Sequence, residues 1–148
     1  MAFPGGAVEE GESRKEAVIR ETREELRIAE TDIRLLGEMD FLVTPYNLLI
    51  YCYAGEIEVN SPDKIDFDDG EVKEVFAVPV EFFKSVSPQK YEVKVKSKPG
   101  EEFPYHLIPG GREYDWRQGN YPVYFYRYDD YVIWGFTARL LKAFIELL

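Results

Sequence analysis

The sequence predicts an α+β fold, a sandwich of helices around a mixed β-sheet. Three observations point there: a well-capped helix near the start, a run of short strand-like segments in the middle, and a closing amphipathic helix. At 148 residues and 45% hydrophobic content the chain reads as one domain, residues 1–148, with enough apolar material for a core.

The first helix is expected over residues 13–26. Ser13 is a good N-cap, and Glu16 three residues on completes a capping box. Val18, Thr22 and Leu26 follow at helical spacing with Ile19 beside them, and Arg27 and Ile28 lead out with no glycine stop. Residues 33–43 are moderately apolar, with Gly37 suggesting a bulge. Residues 47–59 read as a strand whose first half has few charges, as a buried central strand should. Residues 61–70 form an acidic loop containing Pro62, Asp66, Asp68 and Asp69. A strand is expected over 72–78, then a short helix opening at Pro79. Residues 91–96 alternate in period two, which leaves one face wet. Segments 103–108 and 122–128 are further strands. Residues 135–148 form the last helix, with Phe136, Leu140, Phe144 and Leu147 on one stripe. Pro109-Gly110-Gly111 echoes Pro4-Gly5-Gly6, but no acidic helix follows it, so it reads as a turn.

The formal net charge of −10 argues against non-specific binding to nucleic acid or to an anionic membrane, since both need a basic footprint. A phosphate-containing substrate stays compatible, because a bound cation inverts the local potential. Cys52, the one cysteine, lies in an apolar run and reads as a small buried hydrophobe in a strand. No run reaches transmembrane length, and Met1-Ala2-Phe3-Pro4-Gly5-Gly6 has no signal-peptide pattern. The default expectation is a cytoplasmic protein.

The chemistry is concentrated between Gly5 and Ile28. At 100° per residue, Glu21, Glu24 and Glu25 share one face of the first helix. Carboxylates on neighbouring turns lie roughly 5–6 Å apart. Two such charges repel by about 3 kcal/mol at an effective dielectric near 20. A hard divalent cation such as Mg²⁺ or Mn²⁺ between them turns repulsion into attraction. The competing reading is a solvated, ion-paired helix, with Glu16, Arg20, Arg23 and Arg27 as its charges. Gly5 and Gly6 favour the first reading, since they permit a backbone geometry that aims carbonyls or amides at a ligand.

These residues make the segment resemble the Nudix hydrolase family. Its box reads Gly, five residues, Glu, seven residues, Arg-Glu, an aliphatic-type position, any residue, Glu-Glu, any residue, Gly, aliphatic. Gly6, Glu12, Arg20, Glu21, Glu24, Glu25 and Ile28 fall in register, and Thr22 takes a position that accepts it. Arg27 departs, standing where the family has the glycine that shapes the turn after the helix. The resemblance implies a Nudix-type α/β/α sandwich and a Mg²⁺- or Mn²⁺-dependent pyrophosphohydrolase acting on a small nucleotide substrate. It makes Glu21, Glu24, Glu25 and the carbonyl of Gly5 the metal ligands. Glu12 and Arg20 become a pair that braces the loop, with Gly6, against the helix. The general base is one of the box glutamates or a glutamate from a later loop, for which Glu71 and Glu74 are the candidates.

Further segments are similar to the coenzyme A pyrophosphatase branch: Phe3-Pro4-Gly5-Gly6, residues 71–80, and Ile133-Trp134-Gly135-Phe136-Thr137-Ala138. That branch cleaves coenzyme A derivatives to 3′,5′-ADP and a 4′-phosphopantetheine product. Its own marker lies upstream of Phe-Pro-Gly-Gly and is absent here. ADP-ribose, a nucleotide sugar or a nucleoside triphosphate is the alternative substrate, and a non-catalytic nucleotide-binding module is the alternative role. The strands that usually precede the box do not stand before Met1, so either the given start is internal to a longer protein or the sheet is incomplete. An incomplete sheet exposes strand edges that tend to pair with another chain, and a homodimer is expected. His106 reads as a surface or satisfied histidine; Trp134 reads as core, while Trp116 and the tyrosines are able to stack a base.

Overall fold

The computed structural model describes residues 1–59 and 61–148. Its first helix, α1 (Arg14–Leu26), begins where the capping box requires. The Ser13 hydroxyl accepts from the Glu16 amide at 3.3 Å, and the Glu16 carboxylate accepts from the Ser13 amide at 2.8 Å. Two orphan amides of the first turn are thereby satisfied. Ala17, Thr22 and Leu26 are buried, and Thr22 Oγ1 bonds back to the Val18 carbonyl at 2.7 Å.

Among the described residues the strands lie in three antiparallel sheets rather than in the one mixed sheet that the sequence predicts, within an α+β architecture. β1 (Ile33–Glu38) pairs with β4 (Tyr53–Ile57), and the register shifts between Leu35 and Gly37, a bulge at the expected glycine. β2 (Leu42–Val43) and β3 (Leu49–Ile50) form a small hairpin. Its turn holds Asn47 at φ 60°, and Thr44 Oγ1 accepts from the Tyr46 and Leu48 amides. Residues 47–59 are thus not one buried central strand: the chain leaves the ladder at Tyr51 and Cys52, and Leu48 and Leu49 are about half exposed. Cys52 is half-buried between β3 and β4, and burial pushes its thiol pKa up.

Residues 72–78 form no strand either. Their amides begin in a turn, with those of Glu71 and Val72 both donating to the Asp68 carbonyl. Phe76 and Val78 then pack on the core as extended chain. Pro79 stands at the N-cap of α2 (Val80–Ser85), matching the helix expected there. β5 (Gln89–Lys96), β6 (Gln118–Tyr128) and β7 (Tyr131–Trp134) make the largest sheet, in that order. β6 is longer than the predicted 122–128. β7 has no counterpart in the sequence reading; a tight turn with Asp129 at φ 48° returns the chain onto β6. The strand expected over 103–108 is instead a 3-10 turn at Tyr105–Leu107, closed by the Leu107 amide on the Pro104 carbonyl at 3.0 Å. Pro104 lacks an N–H and so offers no donor to a ladder.

α3 (Gly135–Glu146) closes the fold over the inner face of the three-stranded sheet. The core is Phe83 from α2, Tyr126 and Ile133 from the sheet, and Ala138 and Leu141 from α3. Ala138, Leu141 and Ile145 follow at i, i+3 and i+7, so the buried stripe is rotated from the predicted one. Phe144 packs beside it, Phe136 faces Tyr46 and Tyr121, and Leu147 is 72% exposed. Trp134 is not core. It is 55% exposed and stacks on Phe125, its partner in the β6–β7 register. Among the described residues no helix is long and apolar enough to cross a membrane.

Candidate functional site

The site is assembled by folding residues 5–12 back along α1. Arg20 is the organising side chain. Its Nε and Nη2 grip both oxygens of Glu12 at 2.8 and 3.1 Å, and Nη2 also donates to the Ala7 carbonyl at 3.1 Å. A planar guanidinium suits this forked contact, which fixes orientation as well as charge. Glu12 is steadied from its other side by the Glu9 amide at 3.0 Å. Both contacts act in the same direction, so Glu12 is held below the usual carboxylate range, by Arg20 first and Glu9 second. The same bonds raise the Arg20 pKa, with Glu12 the largest cause and Glu21 next.

Arg20 then turns its remaining nitrogen toward the helix. Nη1 donates to Glu21 Oε1 at 2.8 Å and to Glu24 Oε2 at 3.1 Å, two contacts that the sequence reading did not anticipate. Glu25 Oε1 accepts from the Gly5 amide at 2.9 Å. Gly6 is needed for space: a Cβ there would lie 2.6 Å from Glu21 Cδ, far inside contact distance. Loop and helix therefore meet at Gly6, with a carboxylate where a side chain would otherwise sit.

One guanidinium serves Glu12, Glu21 and Glu24, while Glu25 has a backbone amide. The other arginines of the helix and its end are engaged elsewhere, Arg14 with Glu38, Arg23 with Glu30 and Arg27 with Asp66 and Asp68. The cluster keeps an excess of negative charge on one side of α1, which favours a cation. A helix that was merely solvated and ion-paired would instead place its arginines along its own turns. Arg20 does pair along its own turn with Glu21 and Glu24, but it also reaches back eight residues to Glu12 and thirteen to Ala7.

The helix ends at Arg27, whose φ of 47° and ψ of 36° are left-handed. This conformation costs a side-chain-bearing residue roughly 1–2 kcal/mol relative to glycine. The turn is built as a glycine would build it. From there the Arg27 guanidinium meets Asp66 at 3.3 Å and Asp68 at 3.4 Å, and the Asp68 amide donates to the Glu25 carbonyl at 2.9 Å. Sequence reasoning missed this tie, although its signal was present: an arginine at a turn position, and the acidic run at Asp66, Asp68 and Asp69. Glu71 and Glu74 lie on the chain that leaves this tie, both exposed. His106 is exposed on its 3-10 turn, and Trp116 sits edge-on to Phe103 and Tyr114. Pro109-Gly110-Gly111 is a turn, with both glycines at positive φ.

A NUDIX domain matches residues 1–111, which includes the whole of this loop and helix. The chain belongs to the Nudix family. It is similar as well to the uncharacterized Nudix hydrolase NudL of Photorhabdus laumondii subsp. laumondii. The two are 26% identical over 147 residues, which cover 99% of this chain and 67% of that protein. As a Nudix hydrolase the chain acts on the pyrophosphate bond of a small-molecule substrate.

Nudix hydrolases generally use divalent metals such as Mg²⁺, and the residues fit one in chemistry. Glu21, Glu24 and Glu25 offer hard carboxylate oxygens, and Gly6 leaves room for Glu21 at the loop. Among the described residues, no three acidic, histidine or cysteine side chains converge closely enough to enclose an ion. Arg20 Nη1 supplies the positive charge between Glu21 and Glu24. Depressions flank the helix. One of about 200 Å³ is lined by Arg20, Arg23, Glu24 and Ile28. An open groove of about 600 Å³ has Glu12, Arg14, Tyr51 and Tyr53 in its walls, with Arg14 stacked 3.5 Å over the Tyr51 ring.

Proposed function

We propose that this Nudix hydrolase is Mg²⁺- or Mn²⁺-dependent and cleaves the diphosphate of coenzyme A or an acyl derivative. The products are 3′,5′-ADP and the corresponding 4′-phosphopantetheine. The observation that carries the metal-dependent reading is the junction at Gly6, where Arg20 and Glu12 lock the loop against Glu21. In this reading Glu21, Glu24, Glu25 and the carbonyl of Gly5 hold the metal. Bound there, it would neutralise phosphoryl oxygens and favour departure of the leaving phosphate. Arg20 and Glu12 keep the loop from drifting, so the ligands stay on one face. A carboxylate, one of the box glutamates or Glu71 or Glu74 from the following loop, orients a water molecule. Its oxygen bonds to phosphorus, its proton passes to that carboxylate, and the bridging P–O bond breaks.

The coenzyme A assignment is supported by the resemblance of residues 3–6, 71–80 and 133–138 to that branch. The test is a Mg²⁺-dependent hydrolysis screen over coenzyme A, ADP-ribose, nucleotide sugars and nucleoside triphosphates, with products identified by mass. Release of 3′,5′-ADP at the highest kcat/KM supports the assignment. Preference for another substrate moves the enzyme to a different branch, and no turnover by folded protein in the presence of metal leaves a nucleotide-binding module.

The same reading includes a homodimer. β1–β4 and β2–β3 are two-stranded sheets with open edges, and Leu36, Phe41, Val43, Tyr46, Leu48 and Leu49 are each about half exposed or more. Sedimentation showing only monomer at micromolar concentration would rule this out.

A further inference from the structure

We propose that Arg27 is a positioning residue, latching the loop that carries Glu71 onto the end of the acidic helix. The inference rests on the reading of Glu71 as a candidate general base. Asp68 is the hub of the latch, because five separate contacts meet there. Its amide bonds the Glu25 carbonyl at 2.9 Å. Its Oδ1 accepts from Arg27 Nη2 at 3.4 Å and from the Gly70 amide at 3.3 Å. Its carbonyl accepts from the Glu71 amide at 3.0 Å and the Val72 amide at 2.8 Å. Arg27 adds a second hold at Asp66, 3.3 Å away. Glu25 and Glu71 are thus joined through one residue, and the Arg27 fork keeps that residue against the helix.

The arginine side chain is held at this turn against local backbone strain. Its φ of 47° is a conformation suited to glycine. Glycine would make the same turn without strain but would take the guanidinium away from Asp66 and Asp68. Lysine would keep the charge while losing the fork that spans two carboxylates. All three side chains are about half exposed or more, so the latch is sensitive to salt.

The test compares wild type with Arg27→Gly and Arg27→Lys. Three quantities are read: melting temperature, steady-state kinetics at low and high salt, and hydrogen exchange at the Glu71 and Val72 amides. In Arg27→Gly the melting temperature should hold or rise, because glycine relieves the backbone. Exchange at the two amides should quicken about five-fold, kcat should fall by a similar factor, and KM should stay. Salt should slow the wild type toward the level of the glycine variant, which should itself be flat. Arg27→Lys should fall between the two. Unchanged exchange in Arg27→Gly overturns the latch, as does a loss of kcat that merely follows a loss of stability. If the wild type hydrolyses no diphosphate at all, the proposed function fails, while the exchange measurement still decides whether Arg27 holds the loop.

Discussion

Gly6→Ala isolates the junction between loop and helix. Gly6 is not among the positive-φ glycines, so alanine suits its backbone. The difficulty is spatial: the new Cβ would lie 2.6 Å from Glu21 Cδ, so the carboxylate must move. Glu21 is a side-chain terminus and moves cheaply, at the expense of its 2.8 Å bond to Arg20. With those side chains 15% and 23% exposed, losing the pair costs about 1 kcal/mol. In a chain of this size that lowers the melting temperature by about 4 °C. Activity should suffer far more, since a displacement of about 1 Å at a reacting centre costs on the order of 100-fold. The assay is scanning calorimetry beside steady-state hydrolysis and Mn²⁺ binding by electron paramagnetic resonance. Near-wild-type turnover and Mn²⁺ affinity in Gly6→Ala would refute the claim that Glu21 works from this position.

Ile133, 5% exposed in the core, should respond in the opposite way. Ile133→Ala should cost about 3 kcal/mol by urea denaturation while leaving kcat near wild type at low temperature. Acid stability follows from Glu12 and Glu16, whose pKa values are lowered by the Arg20 and Ser13 contacts respectively. A carboxylate with a depressed folded pKa stabilises the fold above its ordinary value and loses that contribution as pH falls through the folded value. Melting temperature should therefore decline below the ordinary value of 4.5, and Glu12→Gln should show a shallower decline there. An identical acid limb in the variant would contradict the assigned coupling.

The helix that matters most was legible because its signals are local. Ser13 and Glu16 cap within one turn, and Gly6, Glu12, Arg20, Glu21, Glu24 and Glu25 lie within twenty residues of one another. The strands were harder because apolar runs do not reveal their partners. Leu48 to Tyr53 looked buried by composition, yet the run splits between two small sheets whose faces are open. Residues 72–78 carry a strand-like pattern, and Phe76 and Val78 do face the core, but the segment joins no ladder. Tyr131–Trp134 was hidden behind the start of α3, and its strand state depends on the Asp129 turn onto β6. The Arg27 tie required a contact across about forty residues, which no local pattern supplies.

The central claim is that the glutamates of α1 form a metal-dependent diphosphate-cleaving site. Its most direct test is hydrolysis of coenzyme A by wild type, Glu24→Gln and Glu25→Gln, each with Mg²⁺ and with chelator. Turnover in wild type should disappear with chelator, and either variant should lose about 100-fold or more with the fold intact. Equal Mg²⁺-dependent activity in all three proteins would contradict it.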